Sequence, residues 1–386
     1  MSITRLGEFA EIQTGPFGSQ LHKEDYVLDG TPIVTVEHLG KRHFTEQNLP
    51  RVSDKDKQRL SKYILSEGDI VFSRVGSVDR CSYVDESNDG WMFSGRCLRV
   101  RTNGTVLPLY LYYYFCLEET KQFMRNIAVG ATMPSINTKL MSEVPIEVPA
   151  LKVQRRIVAM LSAIDKKIEL NETINENLLQ QASTVFNKLY DESPNQQPFT
   201  SLIDVLGGGT PKTGNPDFWD GPIPFFTPKD VGTPYTFQTE KYITESGLTH
   251  CNSRLYQKDT TFVTARGTVG KVSLAGTPMA MNQSCYALAS ETVHPLLVYF
   301  YVLKAVASLK HKASGAVFDA IVTRDFDGET INVLSDDDEK SVLAIIKPMM
   351  EAIHNNSEEN IRLAALRDSL LPRLMSGELN VSDIDL

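Results

Sequence analysis

Apolar side chains, interrupted by a few polar ones, recur at alternating steps of four and three residues in two long segments of the chain. The first segment spans 152–189 and contains neither proline nor glycine. Its recurring positions are Ile157, Leu161, Ile164, Ile168, Asn171, Asn175, Leu178, Ala182, Val185 and Leu189. Steps of four and three are the pattern of a coiled-coil seam. We therefore predict one helix of roughly 40 residues, about 60 Å long.

A second segment repeats the pattern near the end of the chain. Its recurring positions are Val342, Ile346, Met349, Ile353, Asn356, Asn360, Leu363, Arg367, Leu370 and Leu374. Each stands 185 residues after its counterpart in the first segment, as Val342 does after Ile157. Pro348 and Pro372 interrupt this copy. Each proline removes one backbone hydrogen bond, so we expect a kink or a late helix start there.

The asparagines predict how the two helices pair. In an antiparallel arrangement Asn171 meets Asn360 and Asn175 meets Asn356, since both pairs of numbers add to 531. Any slip would leave a buried amide unpaired, so two such layers specify one register. The same register gives the layers Ala182 with Met349, Ile157 with Leu374, and Ile164 with Arg367. The arginine layer is the poorest match, and we expect the head of Arg367 to reach water.

The sequence between the helices also repeats. GATMPSINT (130–138) is echoed by GAVFDAIVT (315–323), DGTPIVTVEHLG (29–40) by DGPIPFFTPKDVG (220–232), and RVGSVDR (74–80) by ARGTVGK (265–271). Short strand-like runs and turn signals fill both halves, with one helix at about 109–126. SPNQQP (193–198) reads as a polar linker.

These patterns predict an α+β fold, in which two similar mixed α/β domains are separated by two long antiparallel helices that form an intramolecular coiled coil with pseudo-twofold repetition. The predicted segments are a first globular domain at 1–150, a central helix at 151–192, a second globular domain at 193–335 and a C-terminal helix at 336–386.

Composition adds few constraints. A chain of 386 residues suits two domains. We find no apolar run of membrane-spanning length and no secretory signal in MSITRLGEFAEI. Five cysteines, odd in number and without a CxxC pair, favour free thiols in a reducing cytoplasm. The net charge of −9 argues weakly against nucleic acid, although a basic stripe on an acidic body would still bind it.

Enzyme signatures are missing from the sequence. There is no HExxH, no GxSxG and no complete phosphate-binding loop, and the seven histidines are scattered. We therefore predict no catalytic residues, no bound metal and no cofactor, and rank a stand-alone enzyme last.

Binding signals are stronger, because basic residues recur in glycine-rich loops of both halves. Such loops let backbone N–H groups approach phosphates, while Gln and Lys reach base edges. The candidate DNA-contacting residues are Ser19, Gln20, Lys23, Arg74, Arg80, Lys139, Lys212, Lys229, Arg266, Thr268, Lys271 and Arg324. Lys139 and Arg324 stand 185 residues apart, so both halves keep a positive charge at one position. The alternative interpretations are a solvated hairpin and a shared structural turn.

Taken together, these segments resemble type I restriction-modification specificity subunits over essentially the whole chain. The similarity rests on GPFGSQLHKEDY (15–26), GGGTPKTGNPDFWDGPIPFFTPKDV (207–231), TARGTVGKV (264–272) and VPIEVPALKVQRRIVAMLSAIDKKI (144–168). The second copy departs from it, since FDAIVTRDFDGETINVLSDDDEKSV (318–342) lacks the proline pair and the glutamine.

The resemblance implies a non-catalytic subunit with two target recognition domains, each reading one half of a bipartite site in double-stranded DNA. The helices would set the spacing and dock two methyltransferase subunits, which would hold S-adenosylmethionine and methylate adenine. Motor-nuclease subunits would join for restriction. The rival hypothesis is a non-catalytic protein-binding scaffold with two globular modules on a coiled coil, which the acidic net charge would suit.

Overall fold

The computed structural model of the chain describes residues 2–18, 20–312 and 320–379. The chain divides into two compact units. The first unit comprises Met1–Lys166 and Ala364–Leu386, and the second comprises Lys167–Leu363. The two long helices are Leu151–Glu192 and Asp336–Met375, so each unit contains a globular half and a stretch of both helices.

The strands of the first unit are Ser2–Arg5, Ala10–Thr14, Tyr26–Val27, Thr31–Val34, Arg51–Val52, Ile70–Ser73, Cys81–Tyr83, Met92–Phe93, Cys97–Thr102 and Pro145–Val148, and the shorter helices of this unit are Asp54–Arg59, Pro108–Cys116, Glu118–Ile127 and Thr138–Ser142. Four of these strands form an antiparallel main sheet. The main sheet has the strand order 10–14, 97–102, 70–73, 81–83. Its strand at 70–73 is buried on both faces, as expected of the continuous run IVFS.

The second unit repeats this order. Its strands are Gln196–Pro198, Asp204–Gly207, Trp219–Phe226, Tyr235–Thr236, Lys241–Ile243, Thr261–Thr264, Val272–Ala275, Ala280–Met281, Cys285–Ala289 and Thr330–Asn332, and its shorter helices are Glu245–Thr249, Pro295–Lys312 and Thr323–Asp327. The main sheet runs 204–207, 285–289, 261–264, 272–275, followed by 235–236. The predicted fold class, with two similar mixed α/β domains and two long helices, is confirmed.

Two local predictions need correction. The helix predicted at 109–126 is two helices, because Leu117 between them has an extended backbone with ψ 134°. Glu118 and Glu119 then occupy the first turn of the second helix, where negative charge is favourable. The predicted linker is partly a strand, since 196–198 pairs antiparallel with 330–332. Its polar side chains are exposed, so a polar sequence is compatible with this strand.

The second long helix does not start late. It begins at Asp336, with Ser335 Oγ accepting from the backbone N–H of Asp338 at 3.3 Å and four acidic residues in the first turn. Pro348 and Pro372 lie inside the helix on exposed positions. The carbonyls that lose their partners four residues earlier are also on exposed residues, where water can hydrogen-bond to them.

The predicted register is confirmed in the second unit. Asn171 Nδ2 donates to Asn360 Oδ1 at 2.8 Å, and Asn356 Nδ2 donates to Asn175 Oδ1 at 2.9 Å. Asn171 is 1% exposed and Asn175 is 9% exposed. Each amide pair is hydrogen-bonded across the helices, so a slip of either helix would break both bonds.

The arginine layer differs from its prediction. In the first unit, Arg367 Nη1 donates to Asp165 Oδ1 at 2.9 Å, and Arg367 Nη2 donates to Asp368 Oδ1 at 2.8 Å. The head of Arg367 therefore pairs with carboxylates instead of simply reaching water. Ile157 and Leu374 are both buried in the apolar core of this unit, as their predicted layer requires.

Replacing Asn171 alone should destabilise the chain more than replacing both members of its layer. N171L leaves Asn360 Oδ1 without its cross-helix donor, which should lower the free energy of unfolding by about 1–3 kcal/mol. N171L/N360L removes both amides and should regain most of that loss. Urea unfolding of the two single variants and the double variant measures the coupling. Additive losses would show that the amides do not act as a pair.

Candidate nucleic-acid interface

The basic turn of the first unit joins strands 70–73 and 81–83. Ser73 N–H donates to Arg80 O at 2.9 Å and closes the turn. Gly76 has φ +75°, a conformation that favours glycine. The guanidinium carbon of Arg74 lies 5.5 Å from the ring centroid of Phe17. Arg80 is exposed, but its Nη2 donates to the carbonyl of Leu39, so this side chain also ties the turn to a neighbouring loop.

The equivalent turn of the second unit presents Arg266, Thr268 and Lys271, all exposed. Thr268 Oγ1 donates to Pro228 O at 3.3 Å, which places loop 227–230 beside the turn. Lys271 stands 191 residues after Arg80, so this basic position is shared between the two turns. At the same offset, Arg266 corresponds to Val75, and Ala265 corresponds to Arg74. The turns therefore share a backbone shape while placing their second cation differently.

Each turn is bridged to the segment that leads into a short helix. Val75 pairs with Ser135 in the first unit, and Arg266 pairs with Ala320 in the second. Four residues after Ser135 and Ala320 come Lys139 and Arg324, both exposed, in helices 138–142 and 323–327. The structure thus brings the predicted cations of the turn and of the short helix into adjoining segments in both units. Residues 315–319 of the repeated segment lie outside the described residues.

A glycine-rich loop follows the first strand of each main sheet. Gly15 N–H donates to Cys97 O at 3.2 Å, and Gly209 N–H donates to Met281 O at 3.2 Å. A Cβ on Gly95 would collide with the carbonyl of Pro16, so the first loop approaches segment 94–96 too closely for a side chain. The two loops take equivalent places at the end of the main sheet in their units.

The remaining predicted residues of the first half are less informative. Ser19 lies outside the described residues, and only the backbone of Lys23 is described, in a short helix at Lys23–Asp25. Gln20 Oε1 accepts a hydrogen bond from the Tyr63 hydroxyl at 2.7 Å. Its side-chain carbonyl is therefore engaged within the protein.

In the second half, Lys212 and Lys229 are both exposed. The carbonyl of Lys212 accepts from the indole N–H of Trp219 at 3.3 Å, which anchors the loop while leaving the ammonium at the surface. Lys229 Nζ lies 3.4 Å from Glu240 Oε2 in an exposed ion pair, an interaction that contributes little to stability. Both lysines remain predictions as DNA contacts.

Two exposed residues beside the turns were missed by the sequence reasoning. They are Arg96 and Gln283. The backbone carbonyl of Arg96 accepts a hydrogen bond from Arg74 N–H at 2.8 Å, and the backbone carbonyl of Ser284, next to Gln283, accepts one from Ala265 N–H at 2.8 Å. Cys97 and Cys285 follow these two residues in the sequence and mark equivalent places in the repeat, so the cysteines were the sequence signal that could have identified them.

The arrangement has the chemistry of a phosphate- and base-contacting surface. Exposed guanidinium and ammonium groups neutralise phosphates, and the Gln and Arg side chains offer donors to base edges. The net charge of −9 is not evenly spread, since four consecutive acids begin the second long helix at 336–339.

The described part of the chain offers neither a metal site nor a membrane span. Among those residues, no three His, Cys, Asp or Glu side chains are grouped so as to hold a metal ion. No helix within residues 2–18, 20–312 and 320–379 is long and apolar enough to cross a bilayer. All five cysteines are free.

Known proteins share this sequence pattern and this fold. The family described as "Type I restriction modification DNA specificity domain" matches residues 1–180 and 199–363. The chain is 27% identical over 413 residues to the type I restriction enzyme MjaIX specificity subunit of Methanocaldococcus jannaschii, covering 99% of this chain and 94% of that protein. It is 22% identical over 418 residues to the HindI specificity subunit of Haemophilus influenzae, covering 84% of this chain and 89% of that protein.

A solved structure supports the fold. The type I restriction-modification system S subunit from M. genitalium aligns with a TM-score of 0.59 at 13% identity, covering 97% of this chain and 95% of that chain. Since the family match takes in both halves, the chain belongs to the type I restriction-modification DNA specificity family and is a non-catalytic specificity subunit.

Proposed function

We propose that each unit reads one half of a bipartite site in double-stranded DNA. The observation that carries this proposal is the repeated interface, in which equivalent bridges, Val75 with Ser135 and Arg266 with Ala320, hold equivalent basic segments. A common backbone frame suits contacts to phosphates, which carry no sequence information. Different side chains on that frame, such as Arg74 in one unit and Arg266 in the other, suit different base sequences.

The long helices are the proposed spacer. Their asparagine layers restrict them to one register, so their paired length is a fixed quantity. Helices of 42 and 40 residues are each about 60 Å long, which corresponds to at most roughly 18 base pairs at about 3.4 Å per pair. The interval between the half-sites would be shorter than this limit, because the reading surfaces themselves occupy part of the DNA.

The same helices are the proposed docking surface for two methyltransferase subunits, with motor-nuclease subunits as further partners. S-adenosylmethionine would be bound by the methyltransferases, and the complex would work in the cytoplasm, where its DNA is. Several large apolar side chains of the helices are exposed, as a subunit interface requires. They are Leu151, Leu170, Ile174, Ile345 and Leu366.

Removing the repeated cations should flatten the salt dependence of DNA binding. K139A and R324A should each reduce the slope of log K against log salt by about one, because each loses about one phosphate contact. Binding should weaken to a similar extent on cognate and non-cognate duplexes. Lys347, exposed on the second long helix, provides the control, and K347A should leave the slope unchanged. The measurement is a salt titration of the assembled complex. A wild-type slope near zero would favour the protein-binding scaffold instead.

Shortening both helices together should shorten the gap in the DNA site. Residues 168–174 and 357–363 face each other in the seam, since 168 with 363 and 174 with 357 both add to 531. No residue of either segment contributes to the apolar cores of the globular halves. Deleting both keeps the Asn175 and Asn356 layer and removes about 10 Å, or about three base pairs. Seven residues are nearly two turns, so the helix faces keep their orientation.

Sequencing of methylated sites from cells that carry each variant measures the gap. We expect a gap about three base pairs shorter with both half-sites unchanged. Deleting 168–174 alone serves as the control, and it should lower the melting temperature and the methylation level because it misaligns the seam. An unaltered gap in the matched deletion would contradict the spacer role.

A further inference from the structure

A buried carboxylate connects several elements of the first unit. Asp165 of the first long helix is 5% exposed. Its Oδ2 accepts from the Tyr113 hydroxyl at 2.5 Å and its Oδ1 accepts from Arg367 Nη1 at 2.9 Å. Arg42 Nη1 lies 3.6 Å from Asp165 Oδ2. We call these four side chains the Asp165 cluster. It joins both long helices, helix 108–116 and the loop that contains Arg42.

The pKa shifts of Tyr113 and Arg367 suit a stable ionic network. Burial, together with the neighbouring Asp165 carboxylate, raises the pKa of Tyr113, which therefore remains a hydroxyl donor. Burial opposes the charge on Arg367, but hydrogen bonds with Asp165 and Asp368 hold the pKa of the guanidinium above its ordinary value. The negative charge of Asp165 is thus buried with donors and positive partners around it, as a buried charge requires.

The cluster is absent from the second unit, where apolar side chains occupy the corresponding positions. Met350 corresponds to Asp165 and Ala182 corresponds to Arg367, because the members of each pair stand 185 residues apart. Phe300 corresponds to Tyr113, because each stands five residues after the proline that begins its helix. All three apolar residues are buried. Apolar residues are therefore sufficient to pack the helices against a globular half, and buried ion pairs seldom stabilise more than apolar replacements do. The ionic cluster calls for another explanation in the first unit.

The cluster leads directly to the basic turn of the same unit. Arg42 belongs to loop 39–42, and its carbonyl accepts from Tyr83 N–H at 2.8 Å. At the start of the loop, the carbonyl of Leu39 accepts from the guanidinium of Arg80. Arg80 is the last residue of the turn. A continuous set of contacts therefore runs from the carboxylate on the helix, through one loop, to the surface proposed to contact DNA.

A cavity of about 1010 Å³ borders the cluster and is lined by Gly40, Arg42, Tyr113, Asp165 and Arg367 among others. The cavity borders the Arg42 side chain, so close packing does not hold it on that side. The contact with Asp165 is therefore among the interactions that hold this end of the loop near the helix.

We propose that Asp165 is a positioning residue, which fixes the basic turn 74–80 through Arg42 and loop 39–42 and so sets base discrimination at the half-site read by the first unit. The inference rests on the proposed bipartite function. Asp165 contacts no base itself, and its effect is confined to one half of the site because the second unit holds its turn without such a cluster.

Two variants test the proposal in the complete methyltransferase complex. D165N removes the charge and keeps the shape. D165M/R367A introduces the residues that the second unit has at these positions, so the helices keep an apolar layer. Methylation rates are measured on duplexes that carry single-base changes in either half-site. We expect discrimination in one half to fall about tenfold, on the order of one base pair's contribution. Discrimination in the other half should stay unchanged.

The control is I353V, a small core change in the second unit that should lower stability slightly and leave discrimination in both halves intact. If the Asp165 variants lose melting temperature or total methylation while discrimination stays the same, or falls equally, in both halves, the positioning role is overturned. If the wild-type complex methylates no two-part site, the proposed function fails as well, and this result is distinguishable because it needs no variant.

Discussion

Two adjacent layers of asparagine fix the pairing of the long helices, and the proposed function depends on that constraint. Leucine layers would pack more strongly, but they would tolerate a shift of one heptad, because apolar contacts are not directional. The hydrogen bonds from Asn171 to Asn360 and from Asn356 to Asn175 do not tolerate it. A spacer must have one length, so a register-specifying pair of polar layers is more valuable here than additional stability.

The globular halves use one backbone frame with different side chains. Both turns have a positive-φ glycine, both are bridged to the segment before a short helix, and both short helices carry a cation at the same place. The second cation of each turn occupies a different position, Arg74 in one unit and Arg266 in the other. A duplicated frame can therefore keep its contacts to the DNA backbone while its two copies diverge in the bases that they prefer.

The seams, their register and the repeat could be predicted from the sequence, because heptad periodicity and amide complementarity are local rules that few alternatives satisfy. The break at Leu117 could not, since it depends on how two helices pack around the core. Strand 196–198 was missed because its polar side chains are exposed and its backbone finds a partner more than a hundred residues away. Asp165 lies beside the seam rather than in it, so no periodic pattern marks it. The candidate DNA contacts were found through repetition of basic residues, whereas Arg96 and Gln283 needed the fold to bring them beside the turns.

The most direct measurement is a map of methylated adenines in the genome of cells that express the chain with its methyltransferase subunits. The account predicts a motif of two specified short sequences separated by unspecified bases, with the same gap at every modified site. A contiguous motif, or a gap that varies from site to site, would contradict the claim that register-locked helices separate two reading surfaces.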